Sequence, residues 1–139
     1  MNKERILSKI DELDQYIIEL EAIKPENYEE FIGDTKIKRA CERLLQIAIE
    51  CIIDICTLII KELKLGLPSE EGDLFEKLEK KNIITKKMKN ILKNMKGFRN
   101  ILVHRYANID DELVFENLDN IKDFKEFKNQ ILSFLRKTK

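Results

Sequence analysis

With 139 residues, 43% hydrophobic and 37% charged, and only four glycines and two prolines, the chain suits one compact domain with few loops and is too short for two ordinary ones. Three cysteines without CxxC spacing and one histidine do not supply the ligands of a structural zinc site, so no such site is expected. The 26 basic and 26 acidic residues cancel, but unevenly. No acid falls between Lys80 and Ile109, whereas acids are frequent in the first thirty residues. Such a split fits either a basic surface for an anionic partner or two neighbouring helices that neutralise each other.

The amino-terminal stretch MNKERILSKIDELD holds no apolar segment of signal-peptide type. It opens a first helix over Lys3–Ile23, with Ile6, Ile10, Leu13, Ile17 and Leu20 on one face. Pro25 ends it, because the residue before a proline avoids the α region. A short amphipathic piece spans Tyr28–Ile32, Gly33 breaks the pattern, and Asp34 is placed to cap the next helix.

That helix is long and is predicted over Thr35–Leu65. Between Leu44 and Ile60 it is apolar nearly all the way round, a pattern that requires cover on more than one side. Gln46, Glu50 and Asp54 interrupt the run, which makes it a core helix and not a membrane span. No membrane association and a cytoplasmic location are expected. Because a domain of this size has few helices to offer, a second copy of the chain is expected to cover one side, giving a homodimer. Cys41, Cys51 and Cys56 lie in this helix as buried free thiols. Residues Gly66–Asp73 form the clearest loop, and a short helix comes after it over Leu74–Lys81. Thr85 opens the next long helix, Ala107–Glu112 interrupts the periodicity, and a last helix covers Leu118–Arg136. Its inward residues are Ile121, Phe124, Phe127, Ile131, Leu132 and Leu135. The fold class is therefore all-α: a single domain over 1–139, a bundle of four main helices plus short ones.

The helix opened by Thr85 sorts into two stripes at about 100° per residue. Met88, Ile91, Leu92, Met95, Phe98 and Leu102 form an apolar stripe, and Lys86, Lys89, Lys93 and Lys96 a basic one. Arg99 falls on the apolar side, between the angular positions of Met88 and Leu92. An arginine keeps its charge, and burying it unpaired costs several kcal/mol. Arg99 thus needs an acid, with Glu50 or Asp54 as candidates, or a water-filled cleft, or an anionic ligand. His104, the sole histidine, comes five residues later, about 140° round an ideal helix. For both to act on one phosphate, the helix must end or distort near Val103, or the two must meet across a dimer.

The segment RNILVHRY, Arg99 to Tyr106, resembles the R-x4-H-x-Y signature of the HepT-like toxins within the HEPN superfamily. RACERLLQIAIECIIDICTLII, Arg39 to Ile60, is similar to the family's long second helix, and the resemblance extends over essentially the whole chain. It implies a HEPN bundle, a homodimer, and a metal-independent endoribonuclease site in the cleft between protomers, with Arg99 and His104 catalytic and Asn100 and Tyr106 supporting. It also implies a type VII toxin–antitoxin pair. The partner is an MntA-like nucleotidyltransferase antitoxin, which would use ATP to AMPylate Tyr106; the toxin itself needs no cofactor.

The residue types suit that chemistry. Attack of a ribose 2′-OH on the adjacent phosphate needs a base, an acid and support for an anionic transition state. Imidazole is the side chain that exchanges protons near neutral pH, which fits His104 as base. Arg99 offers a bidentate grip on phosphoryl oxygens. Asn100 would orient either residue, and Tyr106 would stack on or hydrogen-bond to RNA. Lys89, Lys93, Lys96 and Arg105 are candidate contacts to the RNA backbone. One histidine per chain leaves the general acid unassigned, and a dimer supplies a second. The rival expectation is a non-catalytic subunit that binds a nucleotide or docks the nucleotidyltransferase.

Overall fold

The computed structural model describes residues 1–66, 71–104 and 108–138, with the side chains of 71–73 outside the description. Among the described residues the chain forms seven α-helices and no strand: α1 (Lys3–Ile23), α2 (Tyr28–Ile32), α3 (Thr35–Glu62), α4 (Glu71–Lys80), α5 (Lys86–His104), α6 (Asp111–Asn117) and α7 (Asn120–Lys137). Four long helices, α1, α3, α5 and α7, carry the bundle. The expected apolar stripes of α1, α5 and α7 are its core, although Ile91 and Leu132 are only partly buried.

Local chemistry sets most boundaries. The Asn2, Asn27 and Asp34 side chains accept from backbone N–H groups in the first turns of α1, α2 and α3. The Thr85 hydroxyl accepts from Met88 N–H at 3.0 Å and caps α5. α3 and α4 each stop in a Schellman turn. Lys64 and Asn82 adopt φ of 54° and 59°, and Leu65 and Ile83 donate back to Ile60 and Leu78. These turns explain why α3 ends before the expected Leu65: Leu65 keeps the apolar pattern because it folds back onto the helix, not because it continues it. The expected loop over 66–73 is shorter at its far end, since α4 begins at Glu71. α6 is an unexpected helix. Asp110 caps it by accepting from Glu112 N–H, and buried Val114 anchors it.

α3 is the centre of the molecule. α1, α2, α4, α5 and α6 all pack on it, and α7 closes the bundle against α1 and α5. Most of α3's apolar surface is therefore covered within one chain, with Leu44, Ile47 and Leu58 left partly buried. Phe31 of α2 and Phe115 of α6, joined by Tyr28, make an aromatic cluster beside its amino-terminal half. Among the described residues, no helix is long and apolar enough to cross a membrane.

Candidate active site at the α3–α5 junction

Arg99 sits in the penultimate turn of α5 with its side chain 14% exposed, turned toward α3 as its helical position predicts. Its Nη1 lies 3.6 Å from Glu50 Oε2, and its Nε donates to Asn100 Oδ1 at 3.0 Å. Gln46, one turn before Glu50 on α3, donates its amide to the same Oε2 at 3.3 Å. Of the two acids considered for Arg99, Glu50 is the one beside it. Asp54 instead accepts from Lys9 of α1 at 3.3 Å, where Glu12 also pairs with that lysine.

His104 is exposed and is the last residue of α5. α5 ends at His104, one residue beyond Val103, so the expected end is found there, while no distortion precedes it; no proline or glycine lies between Arg99 and His104 to cause one. Within one chain, a regular helix holds the two side chains about 140° apart in direction. Arg105 and Tyr106 lie outside the described residues.

The basic stripe of α5 is partly neutralised from within. Lys89 pairs with Glu79 at 3.3 Å and Lys93 with Glu76 at 2.6 Å, both acids belonging to α4. Lys96 is half-buried. Neutralisation is thus local to Lys89 and Lys93 and comes from α4, not from the acid-rich first thirty residues, whose Glu21 and Asp14 pair with Lys125 and Lys128 of α7.

Three polar residues escaped the sequence reading as site candidates: Arg39, Arg43 and Gln46. With Glu42, Leu102 and Ile109 they line a cavity of about 130 Å³ between α3 and the end of α5. Their signal was present. Arg39, Arg43, Gln46 and Glu50 recur at spacings of three and four, one helical face of an otherwise apolar helix. A larger open groove of about 780 Å³ lies between the α4–α5 turn and the end of α7, and contains none of the candidate site residues. Among the described residues, no group of three His, Cys, Asp or Glu side chains is placed to hold a metal ion.

A family described as ribonuclease HepT-like matches the chain over residues 6–131. The chain is 36% identical over 84 residues to the mRNA nuclease HepT of Shewanella oneidensis, a match covering 60% of this chain and 63% of that protein. It is 27% identical over 131 residues to the tRNA nuclease HepT of Aphanizomenon flos-aquae, covering 94% and 89%. Among solved structures it is similar to the tri-AMPylated HEPN toxin of Shewanella oneidensis in complex with MNT antitoxin. That match has a TM-score of 0.85 and 29% identity over 96% of this chain and 99% of that one.

Proposed function

The chain belongs to the HepT-like ribonuclease family, and on that premise we propose that it is a metal-independent endoribonuclease, the toxin of a pair whose antitoxin is an MntA-like nucleotidyltransferase. The observation that carries this reading is a permanently charged guanidinium held at a defined place. Arg99 is fixed by Glu50 and Asn100 in the penultimate turn of a helix that ends on the chain's one histidine.

His104 takes the proton of a ribose 2′-OH. The freed oxygen bonds to the adjacent phosphorus, the bond to the 5′ oxygen breaks, and that oxygen gains a proton. The products are a 2′,3′-cyclic phosphate and a 5′-hydroxyl end. Arg99 supports the phosphoryl oxygens as charge builds on them. Because a regular helix turns Arg99 toward α3 and His104 away, the working unit is a homodimer in which one protomer's Arg99 serves with its partner's histidine. The imidazolium formed in the first step then returns its proton to the leaving 5′ oxygen, so one histidine serves each site. AMP on Tyr106, two residues beyond His104, adds an anion that competes for Arg99 and occupies the cleft.

A second reading, a nucleotide-binding or docking subunit without catalysis, draws on the same ion pair, since Glu50 already gives Arg99 a partner without RNA. Cleavage separates the two. Protein produced without its operon neighbour, and shown by intact mass to be unmodified, is expected to cut RNA in the presence of EDTA. His104→Ala is expected to lose at least about a hundredfold in rate, the lower range for removing an acid–base group. Equal cleavage by both proteins would rule out this site. Co-expression with the neighbour is expected to add mass in AMP units that Tyr106→Phe removes.

A further inference from the structure

The outer face of α3 carries more polar chemistry than the motif uses. Near its middle, Glu50 pairs with Arg99 and accepts from Gln46. Toward its amino end it forms one wall of the 130 Å³ cavity. The opposite wall is Leu102, two residues before His104, and Ile109. Leu102 lies one turn beyond Arg99 on the same side of α5, so the cavity adjoins the Arg99 side of the site.

Its charges do not cancel. Glu42 is 9% exposed, and both its carboxylate oxygens accept from Arg39 Nη1, at 3.0 and 2.9 Å. That carboxylate is committed to Arg39. Arg43 is exposed and makes no hydrogen bond or ion pair with any described residue. The cavity thus keeps one uncompensated positive charge, which an arginine holds at every physiological pH.

Size narrows the occupant. Cavities that hold small organic ligands run to roughly 300–1,000 Å³, so this one takes a single anionic group and not a whole nucleoside. Arg43 is also seven residues from Glu50, about 10 Å along the helix axis. Two points that far apart on one rigid rod address different phosphates of a strand.

We infer that Arg43 and this cavity form a second phosphate position, which grips a phosphodiester flanking the scissile one. The inference rests on the ribonuclease reading for its occupant. Arg43 would contribute strand binding and register, while the chemistry stays with Arg99 and His104.

The test is equilibrium binding of a fluorescently labelled single-stranded RNA to full-length His104→Ala protein, in which the strand survives, across a salt series. Adding Arg43→Gln is expected to weaken binding at least about fivefold. It should also reduce the slope of log K against log salt by about 0.7, the value for one phosphate contact on a single strand. Arg43→Lys should restore the slope but only part of the affinity, because lysine cannot make the bidentate contact. Lys122→Gln, an exposed lysine of α7, should leave the slope unchanged. An unchanged slope in Arg43→Gln, or an equal drop in Lys122→Gln, would overturn the inference. Cleavage by the wild-type protein is scored separately. If it fails while the Arg43 effect appears, the ribonuclease reading falls and the phosphate position stands. If it succeeds and the slope does not move, the phosphate position falls alone.

Discussion

The Arg99–Glu50 pair is spaced at 3.6 Å and its carboxylate side chain is 36% exposed. With Arg99 itself only 14% exposed, the pair's part is to orient a guanidinium that the fold largely encloses. Burial has a larger chemical effect on the three thiols of α3. It pushes Cys41 up to about 11 and Cys51 up to about 12, and raises Cys56 as well; Cys51 also donates its S–H to the Lys9 carbonyl at 3.3 Å. A thiol held neutral by the fold stabilises it below the ordinary thiol range, near 8.5. That contribution is lost as pH rises through the folded values. At pH 8 the native protein is therefore expected to resist a thiol reagent, and all three cysteines to react once denaturant unfolds it. A thiol that reacts at the free rate in native protein would mean that α3 opens there.

The starts of α1, α3 and α5 were legible because their signals are single residues at fixed offsets, whereas α4 begins three residues before the expected Leu74 and α6 was not expected. Asn2, Asp34 and Thr85 each accept from a first-turn N–H. Thr85→Ala is expected to cost about 1 kcal/mol, seen as a lower urea midpoint with unchanged slope, and Thr85→Ser to recover most of it. A midpoint that does not move would mean that the Gln130 Oε1 contact to Thr85 N–H, which the alanine keeps, fixes this end of α5. Helix ends were harder to read. The residues that stop α3 and α4 with positive φ are Lys64 and Asn82, not glycine, and the apolar Leu65 and Ile83 beyond them mimic a continuing helix. At the site, the inward turn of Arg99 followed from helical periodicity, which left Glu50 and Asp54 both open as its acid; the structure places Glu50 beside it. The cavity did not, because Arg39, Arg43 and Gln46 acquire a shared wall only when the end of α5 folds against α3.

For the whole molecule, the case for a dimer shifts from core to site. α3 is covered mainly within one chain, and the proposed dimer rests instead on the divergence of Arg99 and His104 on a helix continuous to His104. Mixed dimers give a quantitative check. Arg99→Ala and His104→Ala proteins, each inactive, are unfolded and refolded together in equal amounts. If each site takes its arginine from one protomer and its histidine from the other, half the dimers are mixed and each has one intact site of two. Activity should then return to about a quarter of wild type. No recovery would mean that both groups act from the same chain.

The ion pairs have a kinetic corollary. Lys38 with Asp111, Arg39 with Glu42, Lys89 with Glu79, Lys93 with Glu76, Lys125 with Glu21 and Lys128 with Asp14 all meet at contact distance. Charges cancelled so locally project little field beyond a Debye length, about 8 Å at physiological ionic strength. These six pairs therefore add little to the long-range capture of a polyanion, and any steering above the unsteered range, around 10⁵–10⁶ M⁻¹s⁻¹, belongs to cations outside them such as Arg43.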